Sequence, residues 1–259
     1  MPEYREIAPS PHLAAAIECF WIGQAAGGPH RVTPDGCADI LFTNGRLEFV
    51  GPMTVWRDFP LEPGQRTFGV RFRPGRWRAI AGCPLGPADR LKDLVVPLDD
   101  LWGSRAARLT EQLAEAGSVD RQIGAFETAL PLPAESNPVE RALAWMERRR
   151  GAVSMDELAA RAGLSPRQLR RVCLESTGLT PKFLARVLRF RYALQRLARD
   201  HRRPSLAELA LDCGYYDQAH FIHDFRQFSG RTPAAAPTTT GDGRFFQSPA
   251  DDAAVISAA

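Results

Sequence analysis

Three arginines, Arg167, Arg170 and Arg171, lie close together on a segment with helical periodicity. At about 100° per residue, Leu169, Val172 and Cys173 share one face of that helix and the arginines project from the opposite one. A guanidinium presents a planar fork of donors that matches phosphate oxygens or the O6/N7 edge of guanine. The chemistry open to this row is recognition of a polyanion. A second group follows at Gln218, Ala219, His220, His223 and Arg226. Gln suits the adenine edge, and Ala can pack on a thymine methyl. Phe221, Phe225 and Phe228 form the core stripe of this segment, which leaves Ala219, His223 and Arg226 facing outward. Gln218 and His220 fall in the first turn, where His220 has two readings: it faces the bases or it covers the core. Asp217 reads as the cap of this helix.

Each group needs a helix held across a turn from another. In the first unit, a helix over Met155–Ala162 buries Leu158, Ala159 and Ala162, and Gly163 turns the chain. Ser165 is placed to cap the next helix, with Pro166 at its first position. That helix runs to about Ser176 and stops at Gly178. In the second unit, a helix over Leu206–Asp212 starts at Ser205, and Gly214-Tyr215-Tyr216 makes the turn. Between the units, Pro181–Asp200 reads as one long connecting helix. Phe183, Val187, Leu188, Tyr192 and Leu197 give it a buried side, with Arg186, Arg189, Arg191, Arg196 and Arg199 spread around it. The two units are an internal repeat. Gly178-Leu179-Thr180-Pro181 recurs as Gly230-Arg231-Thr232-Pro233 at an offset of 52, and Leu158–Gly163 matches Leu209–Gly214 at an offset of 51. Repeats are structural units first; the arginines on the second helix of the first copy are what point to a reader.

Charge supports the same class. The 259 residues carry a net +3, but residues 138–233 hold 18 Lys and Arg against 10 Asp and Glu, or +8, and the remainder is −5. A basic half joined to an acidic half suggests that one half meets a polyanion, and nearly all of the positive charge is Arg. The five cysteines, Cys19, Cys37, Cys83, Cys173 and Cys213, lack metal-ligand spacing, so no zinc site, other metal or cofactor is expected. Without a long apolar run or a basic-then-apolar leader, neither membrane insertion nor export is expected, and the protein is placed in the cytoplasm.

The N-terminal residues 1–75 read as β. Short apolar runs at Ile17–Ile22, Ile40–Phe42 and Phe68–Phe72 alternate with turn signals, Asn44-Gly45 being a strong hairpin signal. Residues 76–130 turn helical, with Leu109, Leu113 and Ala116, then Ile123, Phe126 and Leu130, at helical spacing. The expected fold class is α+β and multidomain. It comprises a small barrel- or sandwich-like domain at 1–130 with its following helices, a Pro-rich linker at 131–138, and an all-α tandem helix-turn-helix domain at 139–233. A disordered tail at 234–259 follows. An enzymatic N-terminal domain is the rival reading, with Asp35, Cys37 and Asp39 of Pro34–Asp39 as its candidates. The only histidine nearby is His30, and no GxSxG, HExxH or phosphate loop supports it. Asp35 reads as a turn residue and Asp39 as a hydrogen-bonded carboxylate at a strand edge.

Residues 153–233 resemble the DNA-binding domain of the AraC/XylS regulators. The most specific stretch is LAELALDCGYYDQAHFIHDFRQFSGRTP, Leu206–Pro233, which is similar to the family signature around its second unit. The resemblance implies a transcription factor that places two recognition helices in successive major-groove segments of double-stranded DNA at a promoter. Arg167, Arg170 and Arg171 match the reading positions of the first helix, and Gln218, Ala219, His220 and His223 those of the second. The chain departs from the pattern at Cys173, where an aromatic is common, and at Leu174, where a basic residue is common. It also lacks the aromatic-Arg ending after Thr-Pro. The N-terminal half resembles a sensor-like domain attached to some of these regulators, on Arg31–Phe42 (RVTPDGCADILF) and Gly69–Gly75 (GVRFRPG). By that analogy it receives a small-molecule signal or supports a homodimer, and RNA polymerase is a further candidate partner.

Overall fold

The computed structural model describes residues 4–77, 88–130, 136–199 and 205–235. Most of the expected linker, most of the expected tail, Cys83 and Asp200 lie outside these residues.

The N-terminal part is built from eight strands: β1 (Tyr4–Ile7), β2 (Ile17–Gln24), β3 (Gly28–Val32), β4 (Ala38–Thr43), β5 (Arg46–Val50), β6 (Arg57–Leu61), β7 (Arg66–Phe72) and β8 (Val95–Pro97). Six of them form one antiparallel sheet in the order β1-β2-β7-β4-β5-β8, and β3 and β6 form a separate two-stranded sheet. Asn44 and Gly45 both take positive φ (51° and 75°), the geometry of a tight hairpin turn whose twist matches the flanking strands. The turn sets the register Thr43↔Arg46. Strand alternation then sends Phe20, Ile40, Phe49, Phe68, Val70 and Phe72 to one face.

Helices α1 (Asp99–Trp102), α2 (Ser104–Glu115) and α3 (Val119–Ala129) cover that face through Leu109, Leu113 and Phe126. Phe126 is fully buried and lies 5.5 Å from Phe68 and 6.4 Å from Phe20, ring centre to ring centre. Truncating such a ring to Ala costs about 3–5 kcal/mol. The stretch expected to be helical from residue 76 also contains β8, whose three residues pair with β5. A strand this short carries too little alternation to stand out in sequence. Ala116 is the C-cap of α2 and half-buried, so the helical stripe ends one turn earlier than its spacing suggests.

The C-terminal part is all helix: α4 (Pro138–Arg148), α5 (Met155–Ala162), α6 (Pro166–Thr177), α7 (Pro181–Arg199), α8 (Leu206–Asp212) and α9 (Gln218–Ser229). Pro138 is the first residue of α4, capped by Asn137, so the helical region begins inside the stretch read as linker. The long helix α7 lies between two cores. Leu184, Ala185 and Leu188 join the core of α4, α5 and α6, while Val187, Phe190 and Ala193 join that of α8 and α9. It is thus apolar on more than one side. The expected single buried stripe was too narrow: Val187 and Leu188 are buried, but Phe183, Tyr192 and Leu197 are only partly so.

Candidate nucleic-acid interface

The first helix-turn-helix unit is α5 and α6. Ser154 caps α5 in a reciprocal pair with Glu157, and the helix ends at Gly163 in a left-handed conformation. Ser165 does the same for α6: its Oγ accepts from the Gln168 backbone N–H (3.3 Å), and its own N–H donates to Gln168 Oε1 (3.0 Å). These contacts satisfy N–H groups that the helix itself leaves free and fix where each helix starts. Leu158, Ala159, Ala162, Leu169 and Cys173 are buried between the helices. Cys173 has no aromatic bulk, yet it is fully buried and lies 3.7 Å from Thr177 Oγ1, which closes the space. Burial pushes its thiol up to about 12, so it stays a neutral packing group.

Arg167, Arg170 and Arg171 are all exposed on the opposite face of α6. Arg171 is joined one turn on by Glu175, at 3.0 Å, with both side chains largely in solvent. The same face borders a shallow concavity of about 550 Å³ that also includes Asp89, from the 3-10 turn Ala88–Arg90 of the N-terminal part. Sequence reasoning missed Asp89, because nothing in the chain's linear order places residue 89 beside residue 167.

The second unit is α8 and α9. Ser205 caps α8 with Glu208, and Asp217 caps α9, accepting from the His220 N–H at 2.7 Å. Phe221, Phe225 and Phe228 are fully buried, as their spacing predicts. Gln218, Ala219, His220, His223 and Arg226 are exposed. His220 does both things its two readings allowed: the residue is exposed, and its ring rests edge-on against the buried Tyr215 at 5.3 Å. Behind this surface lies Asp224, whose side chain is 1% exposed. Arg186 of α7 donates to it from Nη2 (2.7 Å) and Nε (3.2 Å), and also reaches Gln227. His220 and His223 flank the same carboxylate at 3.7 and 3.5 Å. The signal for this pair was present: Asp224 falls at a core position between Phe221 and Phe225, and a carboxylate there needs a buried partner.

Three arginines of α7 are held by partners rather than left to solvent. Arg186 holds Asp224, Arg189 donates to the Gly151 carbonyl (3.0 Å), and Arg191 crosses to Glu18 of β2, Nη1 lying 3.3 Å from Oε2. Around Glu18 the joint between the two parts continues. Arg73 pairs with Glu147 of α4 at 2.9 Å, and Arg76 pairs with Glu140. The stretch Pro34–Asp39 forms the N-terminal side of this joint. A Cβ on Gly36, which has φ +83°, would lie 2.6 Å from Leu184 Cδ1 of α7. Cys37 Sγ lies 3.2 Å from Glu18 Oε2, and Asp35 accepts from the Cys37 N–H at 2.9 Å. Asp39 is on an interior strand rather than at a sheet edge. It accepts from Trp21 Nε1 (3.2 Å) and pairs with Arg71 (3.3 Å). Burial raises the Asp39 carboxyl to about 6 against the pull of Arg71. Burial also opposes ionisation of Glu18, but Arg191 outweighs it and holds the carboxyl at about 2. Among the described residues, no group of three or more His, Cys, Asp or Glu could hold a metal ion, and the four described cysteines are free and buried.

Two helix pairs, each with a capped second helix bearing exposed polar residues, define a tandem helix-turn-helix domain. A family model described as a helix-turn-helix domain matches residues 158–236. A second model, described as a domain of unknown function (DUF6597), matches residues 5–97. The HTH-type transcriptional activator RhaS of Escherichia fergusonii is 37% identical over 92 residues, which make up 35% of this chain and 32% of that protein. The chain therefore spans about a third of that relative's length. Among solved structures, the DNA-binding domain of AdpA, a global transcriptional factor in complex with a target DNA, shares 29% identity. The match covers 39% of this chain and 89% of that one, with a TM-score of 0.36. ToxT from Vibrio cholerae shares 11% identity over 90% of this chain and 96% of its own, with a TM-score of 0.41. No helix among the described residues is long and apolar enough to cross a membrane.

Proposed function

We propose that the chain is a non-enzymatic transcription regulator of the cytoplasm that binds duplex DNA sequence-specifically, with α6 and α9 entering successive major-groove segments. The observation that carries this reading is the mounting of two capped helices, with unlike exposed chemistry, on opposite cores of one shared helix. Arg167, Arg170 and Arg171 engage phosphates and guanine edges. Gln218, Ala219, His220, His223 and Arg226 present a mixed surface suited to adenine, a thymine methyl and phosphate. Helix α7 has 19 residues and spans about 28 Å at ~1.5 Å per residue. This is near the ~34 Å between groove segments one turn apart on the same face of DNA. Asp35, Cys37 and Asp39, the candidates for N-terminal catalysis, are buried and bonded internally, which supports a regulatory rather than chemical N-terminal part. That part receives a signal or supports self-association, and RNA polymerase is the partner through which bound protein would act.

Selection of binding sites by the full-length chain from random duplex DNA tests the reading. An asymmetric, two-part motif is expected, one part for each unit. No enrichment, or a palindrome within the footprint of one chain, overturns it.

A further inference from the structure

Between the six-stranded sheet and the β3–β6 pair lies a cavity of about 200 Å³. Trp21, Val50 and Glu48 come from the large sheet, and Val32 and Phe59 from the small one, with Met53 between them. An apolar cavity of ~150 Å³ holds benzene, so this one has room for a single substituted ring. The walls are mostly apolar and aromatic, the usual makeup of a small-molecule site. Glu48 is the one carboxylate among the described lining residues, which include His30 but no Lys or Arg. The Glu48 carboxylate has no hydrogen-bond or ion-pair partner among the described residues. A ring carrying a cation would meet Glu48 at one end and the faces of Trp21 and Phe59 along its length. A carboxylate placed beside Glu48 would be disfavoured.

The small sheet that walls this cavity also touches the second helix-turn-helix unit. Arg31 of β3 is locked to Asp58 of β6 at 2.7 Å and donates from Nη1 to the Ser229 carbonyl at the end of α9 (3.3 Å). Its guanidinium lies 3.9 Å from the centre of the Trp56 ring. Trp56 packs against the C-cap of α9: a Cβ on Gly230 would lie 2.5 Å from Trp56 Cε2. The strands that would feel a ligand are thus the strands that hold one end of a recognition helix.

We propose that this cavity binds a small single-ring compound bearing an ammonium group, and that the β3–β6 pair transmits its occupancy to α9 through Arg31 and Trp56. The transmission half rests on the DNA-binding reading above; the ligand half does not.

The test uses the full-length chain and 2-phenylethylamine as the probe, with phenylacetate as the same ring of opposite charge. Ligand-observed NMR and calorimetry should show the amine binding in preference to the acid. Glu48→Gln keeps the shape of the side chain and should lower amine affinity roughly tenfold or more, as expected for loss of a charge-assisted contact. No detectable amine binding at millimolar concentration, equal or tighter binding of phenylacetate, or unchanged amine affinity in Glu48→Gln overturns the ligand class. For transmission, the amine should change the DNA dissociation constant of the wild type by about fivefold or more, the low end of typical site-to-site coupling. Trp56→Ala and Arg31→Lys should bind the amine normally yet show little change in DNA affinity on adding it. Equal coupling in both variants and the wild type, or none in the wild type, overturns the transmission route. A chain that binds the amine but no DNA would sink the proposed function and leave the ligand assignment standing.

Discussion

Arg191 on the helix shared by both helix-turn-helix units forms a buried ion pair with Glu18 of the N-terminal sheet, their side chains 11% and 3% exposed. The pair ties the DNA-binding part to the sheet at the middle of α7, where any tilt of that helix would move both units. Breaking a buried pair by deleting one partner leaves the other charge stranded in low dielectric. Glu18→Ala should therefore lower the stability of the full chain by about 3–5 kcal/mol in chemical denaturation. A loss under ~1 kcal/mol would show that the joint is wet or open in solution.

The same pair has a pH signature. The Glu18 carboxyl lies at about 2 in the folded chain, against an ordinary value of 4.5. A depressed folded value means that the stabilisation is complete above pH 4.5 and fades as pH falls toward 2. The stability gap between wild type and Glu18→Gln should accordingly shrink on acidification through that window. A gap that stays constant or widens contradicts the charged pair.

On the DNA side, Arg167→Ala should weaken specific binding by ~1–3 kcal/mol and relax the preference at particular base pairs, because Arg167 is exposed and has no hydrogen-bond or ion-pair partner among the described residues. Arg171 is already paired with Glu175, so part of its charge is spoken for and Arg171→Ala should have the smaller effect. Fluorescence anisotropy on specific and scrambled duplexes reads both. An effect of Arg167→Ala that is uniform across sequences would demote this residue to a phosphate contact.

Asp89 offers an opposite change. It borders the concavity beside Arg167, Arg170 and Arg171, so its carboxylate lowers the local positive potential that attracts phosphates. Asp89→Asn should tighten DNA binding, more so at low salt than at high. Unchanged affinity at low salt would place Asp89 outside the DNA path.

Gly230 tests the contact between the small sheet and α9. It adopts φ +69°, and an added Cβ would press on the Trp56 ring. Gly230→Ala should lower the melting temperature on both counts. Combining it with Trp56→Ala should return part of the loss, since the ring is then gone and only the backbone strain of roughly 1 kcal/mol remains. Strict additivity of the two changes would show that the residues do not touch.

Much of the C-terminal part was legible in the sequence because local rules agree there. Ser165, Ser205 and Asp217 announce helix starts, the Phe221–Phe225–Phe228 stripe announces a buried face, and the exposed positions follow by subtraction. What escaped was non-local. The arginines of α7 look like surface charge until Glu18, a residue on a distant strand, and Asp224 are brought against them. In the N-terminal part, the Asn44-Gly45 hairpin was readable from its turn chemistry, whereas β1, β3, β6 and β8 were not. Strands as short as β1 and β8 form because a neighbour offers free backbone groups, and that neighbour is set by topology rather than by their own residues. The joint role of Pro34–Asp39 was hidden for the same reason: its residues pack on a helix encoded far downstream.

Because α7 contributes to both hydrophobic cores, the gap between the two reading helices cannot stretch without drawing Leu184 or Phe190 into water. DNA is the compliant partner only in a restricted sense, since each added base pair turns the duplex by roughly 34°, given ~10.5 base pairs per turn. A single inserted pair between the two half-elements would swing one of them out of phase with its helix, whatever letters it carries. On the proposed reading, the protein acts as a fixed-pitch gauge. Across its natural targets the letters of each half-element can drift, while the interval between them should be held constant.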